Sequence, residues 1–306
     1  MSKPRTLHFR NIGLMGRPGK QSVVDSLHAI VRFLRERGLH SIVDDSTAEW
    51  ANLQDVQTVK RSLLGEFCDM VIVVGGDGSL LHAARALARY KTPVLGINRG
   101  RLGFRTDVSP NEALFKLAQV LEGNYSLDRR FLLQMEIRSV DGVSHEAIAL
   151  NDIVLHAGKA VHMLDFSMHI DGHFVYRQHS DGLIIATPTG STAYALSGGG
   201  PILYPTMDAV VIVPMHPHTL SSRPIVVGGE SEITIRSCDS RITPMVSPDG
   251  QSSITIDDGH SLHIRKHPFK LTLLHPPGYD FYAACRTKLG WNQDNEKFSG
   301  DIGDER

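Results

Sequence analysis

The chain has 306 residues, of which 41% are apolar and 21% charged, and a net charge of −1. At roughly 150 residues per domain this length predicts about two domains, and the composition supports an ample core and excludes extensive disorder. Near-balanced charge disfavours a nucleic-acid binder that relies on a broad basic surface.

Met1-Ser2-Lys3-Pro4-Arg5 lacks the apolar stretch of a signal peptide, and no apolar run approaches the ~20 residues a membrane helix needs. A cytoplasmic chain without a membrane partner is expected. The three cysteines, Cys68, Cys238 and Cys285, form no Cys-x-x-Cys pair, so neither a disulfide framework nor a zinc ribbon is indicated.

An opening strand is expected around Leu7 to Leu14, running into the loop Gly16-Arg17-Pro18-Gly19. Val23, Val24, Leu27, Ile30, Val31 and Leu34 then repeat at helical spacing until Gly38, and Ser41-Ile42-Val43 reads as the next strand. Met70-Val71-Ile72-Val73-Val74 is a continuous apolar run of the kind buried on both faces of a parallel sheet, and Gly75-Gly76-Asp77-Gly78-Ser79 follows at once. Leu80, Leu81, Ala84, Leu87 and Ala88 share one face of a helix, and Pro93-Val94-Leu95-Gly96-Ile97 resumes as strand, completing a βαβ unit. Ser109-Pro110-Asn111-Glu112 reads as a capping box, opening a helix that carries Leu114, Leu117 and Leu121 to a stop at Gly123. This alternation predicts a parallel, doubly wound, Rossmann-like α/β sheet.

Near residue 126 the pattern becomes period two. Leu133, Met135 and Ile137 alternate with polar residues up to Asp141-Gly142, and Ala147 to Leu150 return on the other side of a hairpin. The Asp-Gly signal recurs at Asp171-Gly172, Asp249-Gly250 and Asp258-Gly259. With Ile225 to Val227, Ile233 to Ile235 and Leu271 to Leu274 as further strands, the second part reads as an antiparallel β-sandwich. The tail from Asn292 is polar.

Gly75-Gly76-Asp77-Gly78-Ser79 sits at the carboxyl end of a buried strand, where open α/β sheets bind ligands. Glycines there let backbone N–H groups approach phosphate oxygens, and Asp77 is left as the one strong base. The same residues also make a tight βα turn in which Asp77 or Ser79 caps the helix. Neither a Walker loop nor the Gly-x-Gly-x-x-Gly of dinucleotide dehydrogenases fits the spacing. Gly96-Ile97-Asn98-Arg99-Gly100-Arg101-Leu102-Gly103-Phe104 ends the next strand; Arg99 and Arg101 can meet phosphates and Phe104 can stack on a base, or the segment is a glycine-rich linker.

Asn151-Asp152 offers an amide and a carboxylate of the kind that suits ribose hydroxyls, with an Asx turn as the plain alternative. In the run from Asp181 to Pro201, hydroxyl residues crowd a strand end and an expected helix start, more than one N-cap requires, so their donors can converge on a phosphate or amide. His216-Pro217-His218 has metal-like spacing, but no acidic or Cys ligand follows at an orderly interval.

These four elements, Gly75 to Ser79, Gly96 to Phe104, Asn151-Asp152 and Asp181 to Pro201, occur in the order and approximate spacing of the bacterial NAD kinase family, which the chain resembles from about Leu7 to Trp291. Gly-Gly-Asp-Gly alone is shared with diacylglycerol and sphingosine kinases; the stretch from Thr187 to Pro201 is more specific. The resemblance implies ATP-dependent phosphorylation of the adenosine ribose 2′-hydroxyl of NAD+, giving NADP+, with a divalent cation, Mg2+, whose ligands are not assigned.

It implies Asp77 as proton acceptor with Gly78 beside the dinucleotide, and Asn151 and Asp152 on the ribose. His162, Asp181 and the run Thr192, Ala193, Tyr194, Ala195, Leu196 and Ser197 would line the dinucleotide site, Phe104 would lie near adenine, and Gln251 near the 2′ position. Gly75, Gly76, Gly78, Ser79 and Arg99 are left for the ATP phosphates. It further implies an α/β domain of residues 1–126 plus 277–306, a β-sandwich domain of 127–276, the site between them, and a homo-oligomer, dimer or tetramer. Ser79 stands where threonine is frequent, Arg105 where an apolar residue is usual, and His179 where some members have arginine, a position that bears on NAD+ against NADH. The competing readings are a lipid kinase sharing the glycine motif, a non-catalytic NAD sensor, and an NAD-dependent oxidoreductase.

Overall fold

A computed structural model describes residues 9–99, 108, 112–158, 162–239 and 241–291. The expected capping residues Ser109 to Asn111, the run Gly100 to Phe104 with Arg105, and the tail from Asn292 lie outside these. Contacts group Met1–Leu80, Val94–Leu127 and Leu274–Arg306 into one unit and Leu81–Pro93 with Asp128–Leu273 into a second.

The first unit is built on parallel strands. In chain order it comprises β1 (Asn11–Gly16), α1 (Gln21–Glu36), β2 (His40–Asp44), α2 (Asp45–Trp50), β3 (Gln57–Val59), α3 (Leu64–Phe67), β4 (Met70–Gly75), the start of α4 (Asp77–Leu87), β5 (Val94–Asn98) and α5 (Ala113–Leu121). The strand order is β3-β2-β1-β4-β5, all parallel. Every residue of β4 is buried, which is why its sequence is a continuous apolar run with no polar alternation.

Successive side chains of a strand point to opposite faces, and both faces are covered. Ile12, Leu14, Ile72 and Val74 pack in one core with Val23, Leu27, Ile30 and Leu34 of α1 and with Leu117 and Val120 of α5. On the other face Gly13 leaves room for Val71, Cys68 and Leu64 of α3. The sheet is therefore doubly wound.

The second unit carries β6 (Ser126–Ser139), β7 (Gly142–Ala149), β8 (Asp152–His156), β9 (Leu164–Ile170), β10 (His173–Ser180), β11 (Gly182–Ala186), α6 (Tyr194–Ser197), β12 (Ala209–Met215), β13 (Ile225–Gly228), β14 (Ile233–Ser237), β15 (Met245–Pro248), β16 (Ile254–Thr255) and β17 (Ser261–His275). One sheet runs β13-β12-β11-β8-β15-β16, each neighbour antiparallel. Facing it, β10, β9, β14 and β17 pair in that order, with β6 joining β17 and β7. Ile153, Leu155, Leu183, Ile185 and Ile212 of the first sheet share a core with Leu133, Met135, Phe166, Met168, Ile235 and Leu262 of the second, so the unit is a β-sandwich.

Asp171-Gly172 and Asp249-Gly250 have positive φ at both residues; the first pair is the whole two-residue loop between β9 and β10, and the second makes the turn that opens the longer loop from β15 to β16, closed by the Gln251 N–H on the Pro248 carbonyl. The helix expected after Thr189 is only a turn of 3-10 helix followed by the four residues of α6. From Leu274 the chain belongs to the first unit, where α7 (Phe281–Leu289) is capped by the Asp280 carboxylate and Lys116 Nζ donates to the Pro277 carbonyl over 2.8 Å.

Glu136, buried on β6, accepts from Arg138 and, over 2.6 Å, from Arg265. The Arg138 guanidinium hydrogen-bonded to it holds its carboxyl below the ordinary 4.5. With the folded pKa below the unfolded one, this stabilisation is complete above the unfolded value and is lost as pH falls through the lowered value. Both arginines are partly solvated, so Glu136→Gln is expected to cost about 1–2 kcal/mol near neutral pH. Urea unfolding checks it: the gap to the parent chain should close as pH falls below the ordinary carboxylate range.

Candidate functional site

In the first unit, β1 leads outward to β2 and β3 while β4 lies on its other side, so the strand order reverses between β1 and β4. Ligands of open α/β sheets bind outside the strand ends at such a point. Gly16 and Arg17 leave one of these ends and Gly75 to Ser79 the other. A Cβ on Gly75 would stand 2.8 Å from Ser79 Cβ and closer still to its Oγ, so glycine is required for Ser79 to fold back under the loop. Ser79 is buried, and its Oγ has no hydrogen-bond partner among the described residues.

Asp77 opens α4 and is partly exposed, with Gly76 and Gly78 beside it. Gly75 pairs with Asn98 at the end of β5, and the Arg99 N–H donates to the Gly75 carbonyl over 2.7 Å. The Arg99 Nε is buried without a partner among the described residues. Arg17 was not a sequence candidate, yet its Nη1 lies 3.7 Å from where a Cβ on Gly78 would stand. Backbone N–H groups at a helix start, an orphaned hydroxyl and guanidinium groups are the donor set of a phosphate site.

The second unit holds a cavity of about 760 Å³. Its wall includes the sequence candidates Asn151, Asp152, His162, Asp181, Ala193 and Tyr194, together with His156, Ser247, Asp249 and Gly250, which the sequence reading did not select. Asn151 and Asp152 sit where β7 gives way to β8, and both are buried. The Asn151 Oδ1 has no hydrogen-bond partner among the described residues.

An unsatisfied buried amide oxygen is costly, and its residue stands on the wall of a cavity large enough for a ligand. His156 Nδ1 accepts from the Gly158 N–H, which puts the neutral ring's proton on Nε2, 2.9 Å from Ser247 Oγ. Burial pushes the His156 pKa down and so favours that neutral ring. Asp181, half-exposed, lies 3.0 Å from His216 Nδ1.

The start of β8 is held on both sides. Thr187 Oγ1 donates to the Leu150 carbonyl over 2.6 Å, and the Thr187 N–H to the Asn151 carbonyl over 2.8 Å. On the other side the Asp249 carboxylate accepts from the N–H groups of Leu150, Asn151 and Asp152 at 3.0, 2.7 and 3.3 Å. Burial pushes the Asp249 carboxyl up, against these three donors, which favour its charged form.

In the hydroxyl-rich run, three side chains are bonded to backbone. Thr187 bonds Leu150, Ser191 Oγ donates to the Pro188 carbonyl and accepts from the Leu203 N–H, and Thr192 Oγ1 donates to the Thr189 carbonyl. The four-residue α6 is also too short to offer an anion site at its start. Ala195 is fully buried in a core with Val154, Ile184 and Val213. Thr192, Leu196, Ser197 and Gln251 are not among the cavity-lining residues. His179 is exposed on β10, its Nε2 3.5 Å from an Asp165 carboxylate that Arg177 also binds, away from the cavity wall. Phe104 lies outside the described residues.

Family models for the ATP-NAD kinase N-terminal domain and the ATP-NAD kinase C-terminal domain match residues 12–125 and 150–275. The chain belongs to the ATP-NAD kinase family. The NAD kinase of Acinetobacter baylyi is 69% identical, covering 94% of this chain and 93% of its own length. That of Psychrobacter arcticus is 65% identical over 97% of this chain and 93% of its own. Among solved structures, yeast NADH kinase complexed with NADH is similar at a TM-score of 0.86 and 25% identity, covering 99% of this chain and 95% of its own. An NAD kinase from Archaeoglobus fulgidus in complex with ATP is similar at 0.69 and 26% identity, over 92% and 97%.

Proposed function

We propose that the chain transfers the γ-phosphoryl group of ATP to the 2′-hydroxyl of the adenosine ribose of NAD+, releasing ADP and NADP+. The observation that carries the reading is the orphaned amide oxygen of Asn151, beside the Asp152 carboxylate on the wall of a roomy cavity. Such a pair both donates to and accepts from ribose hydroxyls. His162, Asp181, Ala193 and Tyr194 would complete the dinucleotide contacts, Tyr194 by stacking on a ring.

Asp77 would take the 2′-hydroxyl proton as the new P–O bond forms, while the glycine-loop amides, Ser79, Arg99 and Arg17 receive the phosphates. A loose phosphoryl-transfer transition state asks mainly for alignment and charge neutralisation, which these groups supply. Among the described residues no three His, Cys, Asp or Glu side chains gather as a metal cage. The Asp77 carboxylate and the orphaned Ser79 hydroxyl are nonetheless hard oxygen donors, of the type Mg2+ takes along with phosphate oxygens. When bound, the cation neutralises phosphate charge.

The reading extends to a cytoplasmic homo-oligomer, dimer or tetramer, with residues 1–126 plus 277–306 and 127–276 as its domains. Exposed Phe174, Val175 and Leu220 support self-association. No helix among the described residues is long and apolar enough to cross a membrane. The test is incubation with ATP, Mg2+ and either NAD+ or NADH, with NADP(H) read by an NADP-specific dehydrogenase. Product should form from NAD+ and be abolished by chelating the cation. The yield from NADH measures what His179 permits, and no product from either dinucleotide would overturn the reading.

A further inference from the structure

Asp249 is distant in sequence from the residues it serves, and its neighbours explain why an aspartate stands there. β8 lies between β11 and β15, with Ala186 opposite Asp152 and Pro248 opposite Ile153. The first residue past β15 therefore arrives beside the start of β8. Asp249 takes a φ of +53° there, which Asp and Asn tolerate better than most residues. Its own N–H donates to the Asp152 carbonyl over 2.8 Å, and its carboxylate gathers the three N–H groups of residues 150 to 152.

With Thr187 holding the carbonyls of Leu150 and Asn151, every backbone polar group from 150 to 152 has a partner. The segment is fixed without using the Asn151 amide oxygen, which has no hydrogen-bond partner among the described residues, on a residue of the cavity wall.

We propose that Asp249 is a positioning residue: its carboxylate sets the backbone from which Asn151 and Asp152 present their side chains to the ribose of the dinucleotide. This rests on the reading of Asn151 and Asp152 given above. Asp249→Asn keeps the shape and tolerates the left-handed backbone, but turns an N–H donor toward at least one of the three amide donors it now accepts from. The ribose hydroxyl would then be presented in a displaced position, and even a ~1 Å displacement is costly for a group-transfer reaction.

The experiment is steady-state kinetics of Asp249→Asn, Asn151→Ala and the double variant on the full chain, after thermal unfolding has shown that each folds. Asp249→Asn should lower kcat/KM for NAD+ by about 10- to 100-fold and leave KM for ATP within about twofold. The loss in the double variant should be clearly less than the product of the two single losses, because both changes act on the Asn151 contact. Equal losses toward ATP and NAD+, additive effects in the double variant, or unchanged NAD+ kinetics would overturn the role. If Asn151→Ala itself leaves NAD+ kinetics unchanged, the ribose reading fails and the positioning role falls with it; if only Asp249→Asn is silent, the positioning role alone is overturned. Should the amide variant not fold, Asp249→Gly allows the same φ, leaves the three amides to water, and gives the same comparison.

Discussion

Asp77→Asn is expected to lower turnover by about 10²- to 10⁴-fold while NAD+ binds within about threefold of its original affinity. The substitution is nearly isosteric and falls on the first residue of α4, beside a turn in which the Ser79 N–H donates to the Gly76 carbonyl and the Arg99 N–H to the Gly75 carbonyl. The lost charge at a helix N-terminus costs about 0.3–1 kcal/mol of stability, too little to unfold the chain. What it removes is the group able to accept a proton at the strand end where phosphate donors gather. Base assistance in such transfers is worth about the stated factor, and the rest of the acceleration, from alignment and neutralisation, should survive in the variant. Single-turnover rates with equilibrium NAD+ binding separate the two quantities. Full turnover would remove Asp77 from the chemistry, and parallel loss of binding would make it a dinucleotide ligand instead of a base.

The parts of the molecule that were legible in the sequence are those whose cause is local. Met70 to Val74 reads as a buried parallel strand because both its faces are covered, and the glycines after it mark the strand end because Ser79 must fold back against Gly75. Asp171-Gly172 and Asp249-Gly250 read as hairpins because two consecutive left-handed residues are what such turns require. Asn151 and Asp152 were legible as an amide beside a carboxylate, and both stand on the cavity wall.

What was not legible depends on partners far along the chain. Asp249 is recognisable as a turn residue, and nothing in its neighbours announces that its carboxylate is spent on backbone about a hundred positions away. The partners of the hydroxyl run were hidden for the same reason. Counting hydroxyls against the needs of one helix cap assumes that the surplus faces a ligand, whereas Thr187 and Ser191 hold β8 and the segment at Leu203. β12 is absent from the strands expected above although Ala209 to Val213 is wholly buried, and Pro214 follows directly, a residue that argues against a central strand. It is tolerated because β13 pairs only as far as Ile212, so on that side no strand carbonyl is left waiting for the N–H that proline lacks.

Gly190→Ala is expected to cost about 3–5 kcal/mol and to impair NAD+ binding in whatever fraction still folds. A Cβ at Gly190 would stand 2.5 Å from the Asn151 carbonyl carbon and 2.8 Å from its Cα, and closer still to its oxygen. All three are backbone atoms of the segment that Thr187 and Asp249 already fix, so no side chain can swing aside. Relief must come from lifting the turn, which stretches the Thr187 N–H bond to Asn151 and the Gly190 N–H bond to Thr187 Oγ1, now 2.8 and 3.1 Å. Overpacking costs about 1–3 kcal/mol and each lost hydrogen bond about 1 more, a large share of the ~5–15 kcal/mol that holds an ordinary domain together. Gly228→Ala is the control, because a Cβ there meets only Ser231 Oγ at 3.9 Å, and it should change stability by no more than about 0.5 kcal/mol. Urea midpoints of the two variants, with KM for NAD+ on both, decide the matter. Equal midpoints and equal KM values would mean that the turn moves freely over β8 and does not clamp it. A lower midpoint with normal KM would make the clamp a matter of stability alone. Loss of both would mean that the glycine serves the fold and the ribose site by one close approach.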